Sequence, residues 1–167
     1  IYYVNDSGVV IIEELDEGSD VVHATVSFVL SENVENLWLG DTDDINGTGN
    51  ALNNYLMGNE GNNVITGYDG DDTLGDGEGG TDTLIGGDGN DNYYVSDSGA
   101  VIVEDLDEGN DVVDATVSYV LSANVEDLWL GGTDNIDGTG NALNNFMMGN
   151  EGDNVMTGYD GDDTLGD

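Results

Sequence analysis

The feature that most constrains the fold is a nine-residue period in the middle of the chain. Each unit begins with about six residues rich in Gly, Asp and Asn and ends in three residues whose middle one is apolar. Nine residues hold one tight turn and one short strand, and such a strand turns a single side chain inward. A unit of this kind cannot form a core alone, so the units must stack. The units begin at Gly49, Gly58, Gly67, Gly77 and Gly86, and their apolar middle residues are Leu56, Ile65, Leu74, Leu84 and Tyr93.

Two units make one coil of about 18 residues, and neighbouring parallel strands lie about 4.8 Å apart. The period therefore predicts an all-β fold, a parallel β-roll or β-helix solenoid, with two parallel sheets around a narrow core. One additional residue, Asp76, interrupts the register, and the unit that begins at Gly49 is degenerate.

A second period of 91 residues contains the first. Residues 2–76 and 93–167 are identical at 59 of 75 aligned positions. We therefore expect a first repeat unit at 1–91 and a second, truncated unit at 92–167 within one continuous solenoid, cut from a longer protein. Apolar runs outside the nine-residue units predict further coils with longer turns, at 9–12, 21–29 and 34–39 and again at 101–103, 112–120 and 125–130.

Composition restricts the partners. The 167 residues include 37 Asp and Glu, one His and no Lys or Arg, so the formal net charge is −37 at pH 7. This charge excludes nucleic acid and anionic membranes as partners, and it means that cations from outside must assist folding. The absence of Cys excludes disulfides and thiolate metal sites.

The turns offer the ligands that calcium prefers. Hard divalent cations take six to eight oxygen ligands from carboxylates and backbone carbonyls in tolerant geometry. Glycine allows positive φ, which lets carbonyls converge on one point. Magnesium demands stricter octahedral geometry and retains its waters, so it fits these turns less well.

The pattern Gly-Gly-x-Gly-x-Asp-x-(apolar)-x is complete at 86–94 and nearly complete at 67–75. It resembles the calcium-binding nonapeptide of the repeat-in-toxin (RTX) family of secreted bacterial proteins. The segments between the nonapeptides are similar to the spacer units of large RTX adhesins and exoproteins. This resemblance implies several bound Ca²⁺ ions, passage through a type I secretion channel in the unfolded state, and folding outside the cell or on its surface, where calcium is abundant.

The resemblance also implies which residues bind the ions, because the family's ligand is the Asp at position six of each turn and an ion lies between turns that are two units apart. Two sites follow. The first joins 67–72 to 86–91, and the second joins 58–63 to 77–82, where Asn63 departs from the motif and Glu60 or Glu78 would compensate. The residues of the first site are Gly67, Asp69, Gly70, Asp71, Asp72, Gly86, Gly87, Asp88, Gly89 and Asp91, and those of the second are Glu60, Asn63, Glu78, Gly79 and Asp82.

Two further turns are candidates from spacing. The acidic turn 104–111 lies about one coil beyond 86–91, and Asp107 and Asp111 are its expected ligands. In the second unit, Asp160 and Asp163 form a half-site whose partner turn would lie beyond residue 167, so we expect it to be empty or shared with a neighbouring molecule.

Other readings of the acidic turns fit less well. A disordered acidic tract would not keep Gly and apolar residues in phase. No stretch has the Glu that an EF-hand requires at its twelfth position, and a phosphate-binding Gly loop would need a positive charge. His23 is replaced by Asp114 in the second unit, so it is expected to be an exposed strand residue, and we expect no catalytic residues.

Trp38 and Trp129 each lie between two leucines, so strand alternation predicts that the leucines point inward and the tryptophans outward. An outward Trp is either covered by a neighbouring turn or free to bind an extracellular glycan. The chain is accordingly expected to be a structural or adhesive repeat. The alternatives are an accessory roll of a secreted hydrolase or polysaccharide-modifying enzyme, and a carbohydrate-binding module.

Overall fold

The computed structural model describes residues 1–15 and 17–167, and it shows short strands on the two faces of a solenoid. One face is a single ten-stranded parallel sheet, which extends the whole length of the solenoid. The ten strands are β1 (Tyr2–Val4), β2 (Val21–Ala24), β4 (Asn36–Leu39), β6 (Tyr55–Met57), β8 (Thr73–Gly75), β10 (Asn92–Val95), β12 (Val112–Ala115), β14 (Asp127–Leu130), β16 (Phe146–Met148) and β18 (Thr164–Gly166).

The opposite face is divided into two parallel sheets, of five and three strands, where a single sheet was predicted. The five-stranded sheet contains β3 (Phe28–Val29), β5 (Gly47–Thr48), β7 (Val64–Asp69), β9 (Thr83–Asp88) and β11 (Val101–Val103), and the three-stranded sheet contains β13 (Tyr119–Val120), β15 (Gly138–Thr139) and β17 (Met156–Thr157). The break falls between β11 and β13, in the spacer of the second unit, where both strands are very short.

Strand register follows the coils. In the nine-residue block Leu56 pairs with Leu74, its equivalent two units later, as the predicted two-unit coil requires. The coils of the spacer are less regular, since the coil in which Tyr93 pairs with Val113 is longer and the next, in which Val113 pairs with Leu128, is shorter. The solenoid stays continuous because these differences are absorbed in the turns. The predicted all-β parallel solenoid is therefore confirmed.

No helix that is long and apolar enough to cross a membrane occurs among the described residues.

Each strand contributes one or two side chains to the core. The apolar middle residues of the five nine-residue units are all 0 % exposed, as the period predicted. In the spacers, alternation within the Leu-Trp-Leu strands buries the leucines and leaves Trp38 and Trp129 45 % and 50 % exposed. Both predictions about these strands are confirmed.

Three apolar runs differ from the prediction. Residues 9–12 form no strand, although Ile11 is buried, whereas the equivalent β11 pairs with β9 of the preceding coil. Residues 21–29 divide into β2 and β3, so the run turns the corner from one sheet to the other. The run 112–120 divides in the same way into β12 and β13.

His23 is a strand residue, as expected, but it is half-buried rather than exposed. It lies in β2, half-buried, with its ring stacked on Tyr3 at 5.3 Å between centroids and edge-on to Trp38 at 5.2 Å. Its environment is therefore an aromatic row on the outer surface of the ten-stranded sheet.

Asp76, the residue that interrupts the period, is buried and caps the next turn on its edge. Its carboxylate accepts hydrogen bonds from the backbone N–H of Ser96 at 2.7 Å, the Ser96 hydroxyl at 2.9 Å and the backbone N–H of Asp97 at 2.9 Å. The insertion thus connects the nine-residue block to the spacer that follows.

Candidate metal centres

The turns between the two faces stack along two edges of the solenoid. Positions in a six-residue turn are counted from its first residue, which is Gly in the nine-residue units. One edge carries the turns 49–54, 67–72, 86–91 and 104–111, and the other carries 58–63 and 77–82.

Position six of the nine-residue units, continued by Asp111, forms a ladder along the first edge. The backbone N–H of Asn54 donates to Asp72 Oδ1 at 2.7 Å, that of Asp72 donates to Asp91 Oδ1 at 2.7 Å, and that of Asp91 donates to Asp111 Oδ1 at 2.8 Å. Each carboxylate therefore reaches back to the turn of the preceding coil. The structure brings together the turns that the sequence paired, 67–72 with 86–91 and 86–91 with 104–111.

The second oxygen of each of these carboxylates has no partner. Asp72, Asp91 and Asp111, and Asp82 on the other edge, are at most 2 % exposed, and the Oδ2 atom of each makes no hydrogen bond. A buried carboxylate oxygen without a partner is costly, and a bound cation removes that cost. The residues present therefore fit a hard divalent cation.

The same burial raises the pKa values of these carboxyl groups. Burial raises the pKa of Asp72 and of Asp91 to about 7, and the pKa of Asp82 and of Asp111 to about 6. Desolvation outweighs the backbone hydrogen bonds, which act in the opposite direction. Without a cation, these groups partly bind protons near neutral pH.

Glu104, the first residue of the turn 104–111, was not among the ligands predicted from the sequence. It is 6 % exposed, and carboxylate oxygens of Asp91, Glu104 and Asp111 all lie within 4.8 Å of one another. Burial, followed by the charges of Asp111 and Asp91, raises the pKa of Glu104 to about 9. Spacing could have found it, because Glu104 follows Gly86 by the length of two units and so occupies position one of the next stacked turn.

The other acidic residues of the predicted sites lie outside these clusters. Asp71 is already used, since its Oδ1 accepts a hydrogen bond from the backbone N–H of Asn90 at 2.8 Å. Asp163 Oδ1 accepts from the backbone N–H of Asn145 at 2.9 Å, so the half-site has the same ladder bond as the complete turns. The side chains of Asp69, Asp71, Asp88, Asp107 and Asp160 are exposed.

On the other edge, Asn63 does not offer a free oxygen. Its Nδ2 donates to the Ile45 carbonyl at 2.6 Å, and its Oδ1 accepts from the backbone N–H of Asn59 at 2.8 Å. Asn59 in turn donates to the carbonyls of Gly40 at 2.9 Å and Asp43 at 3.1 Å. Only Asp82 in this pair keeps an unpartnered oxygen, and Glu60 and Glu78 are exposed.

The same arrangement recurs in four turns that have Asn at positions two and six, which we call amide turns. In each, both side-chain amides donate to backbone carbonyls of the preceding coil, so the N–H groups take the place of a cation. The amide turns are 49–54, 58–63, 140–145 and 149–154. Turns with Asp at position six are called carboxylate turns, and these are 67–72, 77–82, 86–91 and 158–163.

Glycine is required where the carboxylates converge. Gly70 has φ +120°, and a methyl group there would lie 2.7 Å from the Leu52 carbonyl of the preceding turn. A methyl group on Gly86 would overlap Asp91 Oδ2, Tyr93 Oη and Glu104 Oε1. The space in front of Gly86 is thus bounded by oxygen atoms.

We expect Gly86→Ala to weaken both calcium binding and the fold. The methyl group fills the space between the oxygens, and overpacking alone costs about 1–3 kcal/mol. The measurement is thermal unfolding in saturating calcium. Gly131→Ala is the control, because the nearest atom to its methyl group would be 3.6 Å away; equal losses in the two variants would contradict this role of Gly86.

The raised pKa values predict opposite pH effects with and without calcium. In chelator, the carboxylates of Asp72 and Asp91 bind protons more tightly in the folded chain than in the unfolded one, so stability falls as pH rises from about 4 to 7. With calcium, protons compete with the ion, so affinity falls as pH drops through the same range. The fraction of β structure, measured by circular dichroism at several pH values with chelator and with calcium, checks both signs, and a common sign in the two series would contradict the assignment.

Comparison with known families agrees with these turns. A family model described as the RTX calcium-binding nonapeptide repeat matches four copies, at residues 48–75, 76–96 and 139–166. No curated protein and no solved structure is significantly similar to the chain. The matched residues contain the nine-residue units of the first repeat and their equivalents in the second. This match shows that the chain contains RTX calcium-binding nonapeptide repeats at residues 48–96 and 139–166, and the parallel β-solenoid with its stacked turns agrees with it.

Proposed function

We propose that this chain is a calcium-dependent structural repeat that folds outside the bacterial cell after type I secretion and supports an adhesive or otherwise extracellular protein. The observation that carries the proposal is the set of buried carboxylate oxygens without partners on stacked turns, at Asp72, Asp82, Asp91 and Asp111.

The mechanism is thermodynamic linkage between ion binding and folding. A net charge of −37 opposes the compact state, and the buried carboxylates add a desolvation cost. An ion that binds only the folded chain stabilises it by mass action. At millimolar calcium and dissociation constants of about 10⁻⁴–10⁻³ M, each ion contributes about 0.4–1.4 kcal/mol.

The amide turns limit how much of the fold depends on calcium. Because their Asn side chains already bond to the backbone, those turns need no ion, and calcium acts on the carboxylate turns. Low calcium inside the cell would leave the carboxylate turns open and the chain passable through a secretion channel, and high calcium outside would close them.

The test of the proposal is the hydrodynamic radius of the chain with chelator and with calcium. We expect an expanded chain in chelator and a compact rod in millimolar calcium. Identical radii in both buffers would contradict calcium-dependent folding.

A second candidate function is glycan binding by the outer surface of the ten-stranded sheet. Strand register places Tyr3, Trp38, Tyr94 and Trp129 in a single row, and all four are at least 42 % exposed. Flat aromatic rings with one wet face suit partners that are amphipathic.

Glycan-array binding tests this candidate. We expect binding that is lost when Trp38→Ala and Trp129→Ala are combined, with the calcium response unchanged. If the parent chain binds no glycan, the structural role would be the only one supported.

A further inference from the structure

We propose that Asp91, Glu104 and Asp111 bind one calcium ion at the junction between consecutive 91-residue units, in a site that the nonapeptide motif does not contain. The inference rests on the proposed calcium-dependent folding and assigns a further site to it. Glu104 stands where the motif has Gly, and the family match stops at residue 96, before Glu104 and Asp111, and resumes at 139.

The three side chains form a closed cluster of oxygen atoms. Their exposed fractions are 1 % for Asp91, 6 % for Glu104 and 1 % for Asp111, and their oxygens lie within 4.8 Å of one another. Each carboxylate keeps one buried oxygen without a hydrogen-bond partner. The cluster therefore has three free acceptors and lacks a positive charge between them.

The neighbouring groups hold the cluster in place without neutralising it. Tyr93 Oη donates to Glu104 Oε1, and the backbone N–H of Asp91 donates to Asp111 Oδ1 at 2.8 Å. The N–H of Asp111 donates to Glu126 Oε2 at 2.9 Å, which adds another acidic side chain nearby. Tyr93 is thus a positioning residue for Glu104.

The positive charge has to come from solution. The sequence contains no Lys or Arg and a single His, at position 23, which lies in the aromatic row near β1. Calcium accepts carboxylate oxygens in flexible geometry, whereas softer metals prefer thiolate or imidazole ligands that the cluster does not offer.

The position of the cluster gives it a distinct role. Asp91 is the last residue of the first 91-residue unit, and Glu104 and Asp111 belong to the second. An ion at this point connects the last nonapeptide turn of one unit to the spacer of the next. The first unit carries the same parts, since Tyr2 Oη donates to Glu13 as Tyr93 does to Glu104.

The first unit also supplies a matched control. Glu13 has the equivalent position and the equivalent Tyr partner, but β1 is an edge strand, so no position-six Asp of the described residues stacks beneath Glu13. Asp20, the equivalent of Asp111, lies 3.4 Å from the terminal ammonium group of Ile1.

The experiment counts bound calcium by native mass spectrometry for the parent chain, Glu104→Gln and Glu13→Gln. We expect Glu104→Gln to bind one ion fewer than the parent and Glu13→Gln to bind the same number. An unchanged count in Glu104→Gln would overturn the junction site. A parent chain that binds no calcium would overturn the proposed function as well.

Because Glu104→Gln could fail to fold, a second measurement uses the unaltered chain. Crystals grown with calcium should show an anomalous difference peak between Asp91, Glu104 and Asp111, at about 2.3–2.6 Å from their oxygens. Peaks at the carboxylate turns without one here would overturn the junction site and leave the proposed function intact.

Discussion

Asp91→Asn is expected to raise the calcium concentration at the midpoint of folding by at least about tenfold, since calcium affinity depends on the number of charged ligands. Asp91 is shared by two stacked pairs of turns, because its Oδ1 accepts from the Asp72 N–H and its own N–H donates to Asp111. Asn keeps the shape and the Oδ1 acceptor and removes only the charge. The loss is therefore specific to cation binding.

The midpoint is measured by circular dichroism at increasing calcium for the parent chain and for two variants. Asp153→Asn is the control, because Asp153 is exposed and the first unit has Asn62 at the equivalent position. Its midpoint should equal that of the parent chain. An unchanged midpoint in Asp91→Asn would show that the buried carboxylates do not bind the ion that drives folding.

Asn63→Asp is expected to destabilise the folded chain by about 3 kcal/mol or more, even in saturating calcium. Asn63 is 1 % exposed, and the change replaces an amide that donates to Ile45 and Asn59 by a charge directed at their oxygen atoms. Because both neighbours are acceptors, the new carboxylate loses two hydrogen bonds and gains repulsion.

Urea unfolding in saturating calcium measures this loss. Asn53→Asp, at position five of another amide turn, is the control, since Asn53 is exposed and the change keeps the Oδ1 that accepts from the Asp71 N–H. It should change the free energy of unfolding by less than about 0.5 kcal/mol. If calcium restored Asn63→Asp to parental stability, the amide turn would be a latent ion site and our distinction between the two kinds of turn would be wrong.

The fold could be predicted from the sequence because the period is strict. A turn and a strand in nine residues, with one apolar residue such as Leu74 always in phase, allow few arrangements other than a stacked coil. The pairing of turns two units apart followed from the same arithmetic. The strands of the spacers were harder to predict, because their coils differ in length and follow no fixed period. Nothing in the run 21–29 indicated that the chain turns within it from one sheet to the other.

The candidate sites could be predicted only where they follow the motif. The position-six residues Asp72 and Asp91 could be read from the pattern, whereas Glu104 replaces the Gly that the motif requires and is found only by counting turns through the spacer. The role of Asn63 could not be predicted from the sequence either. One amide in place of a carboxylate looks like a weakened ligand in the sequence, and only the backbone carbonyls around it show that its N–H groups are used.

The most direct test of calcium-dependent folding is far-ultraviolet circular dichroism during a calcium titration after exhaustive chelation, with magnesium as the control. We predict a cooperative change from coil to β structure near millimolar calcium and little or no change with magnesium. A chain that shows full β structure in chelator, and does not respond to calcium, would contradict the central claim that these turns fold by binding the ion.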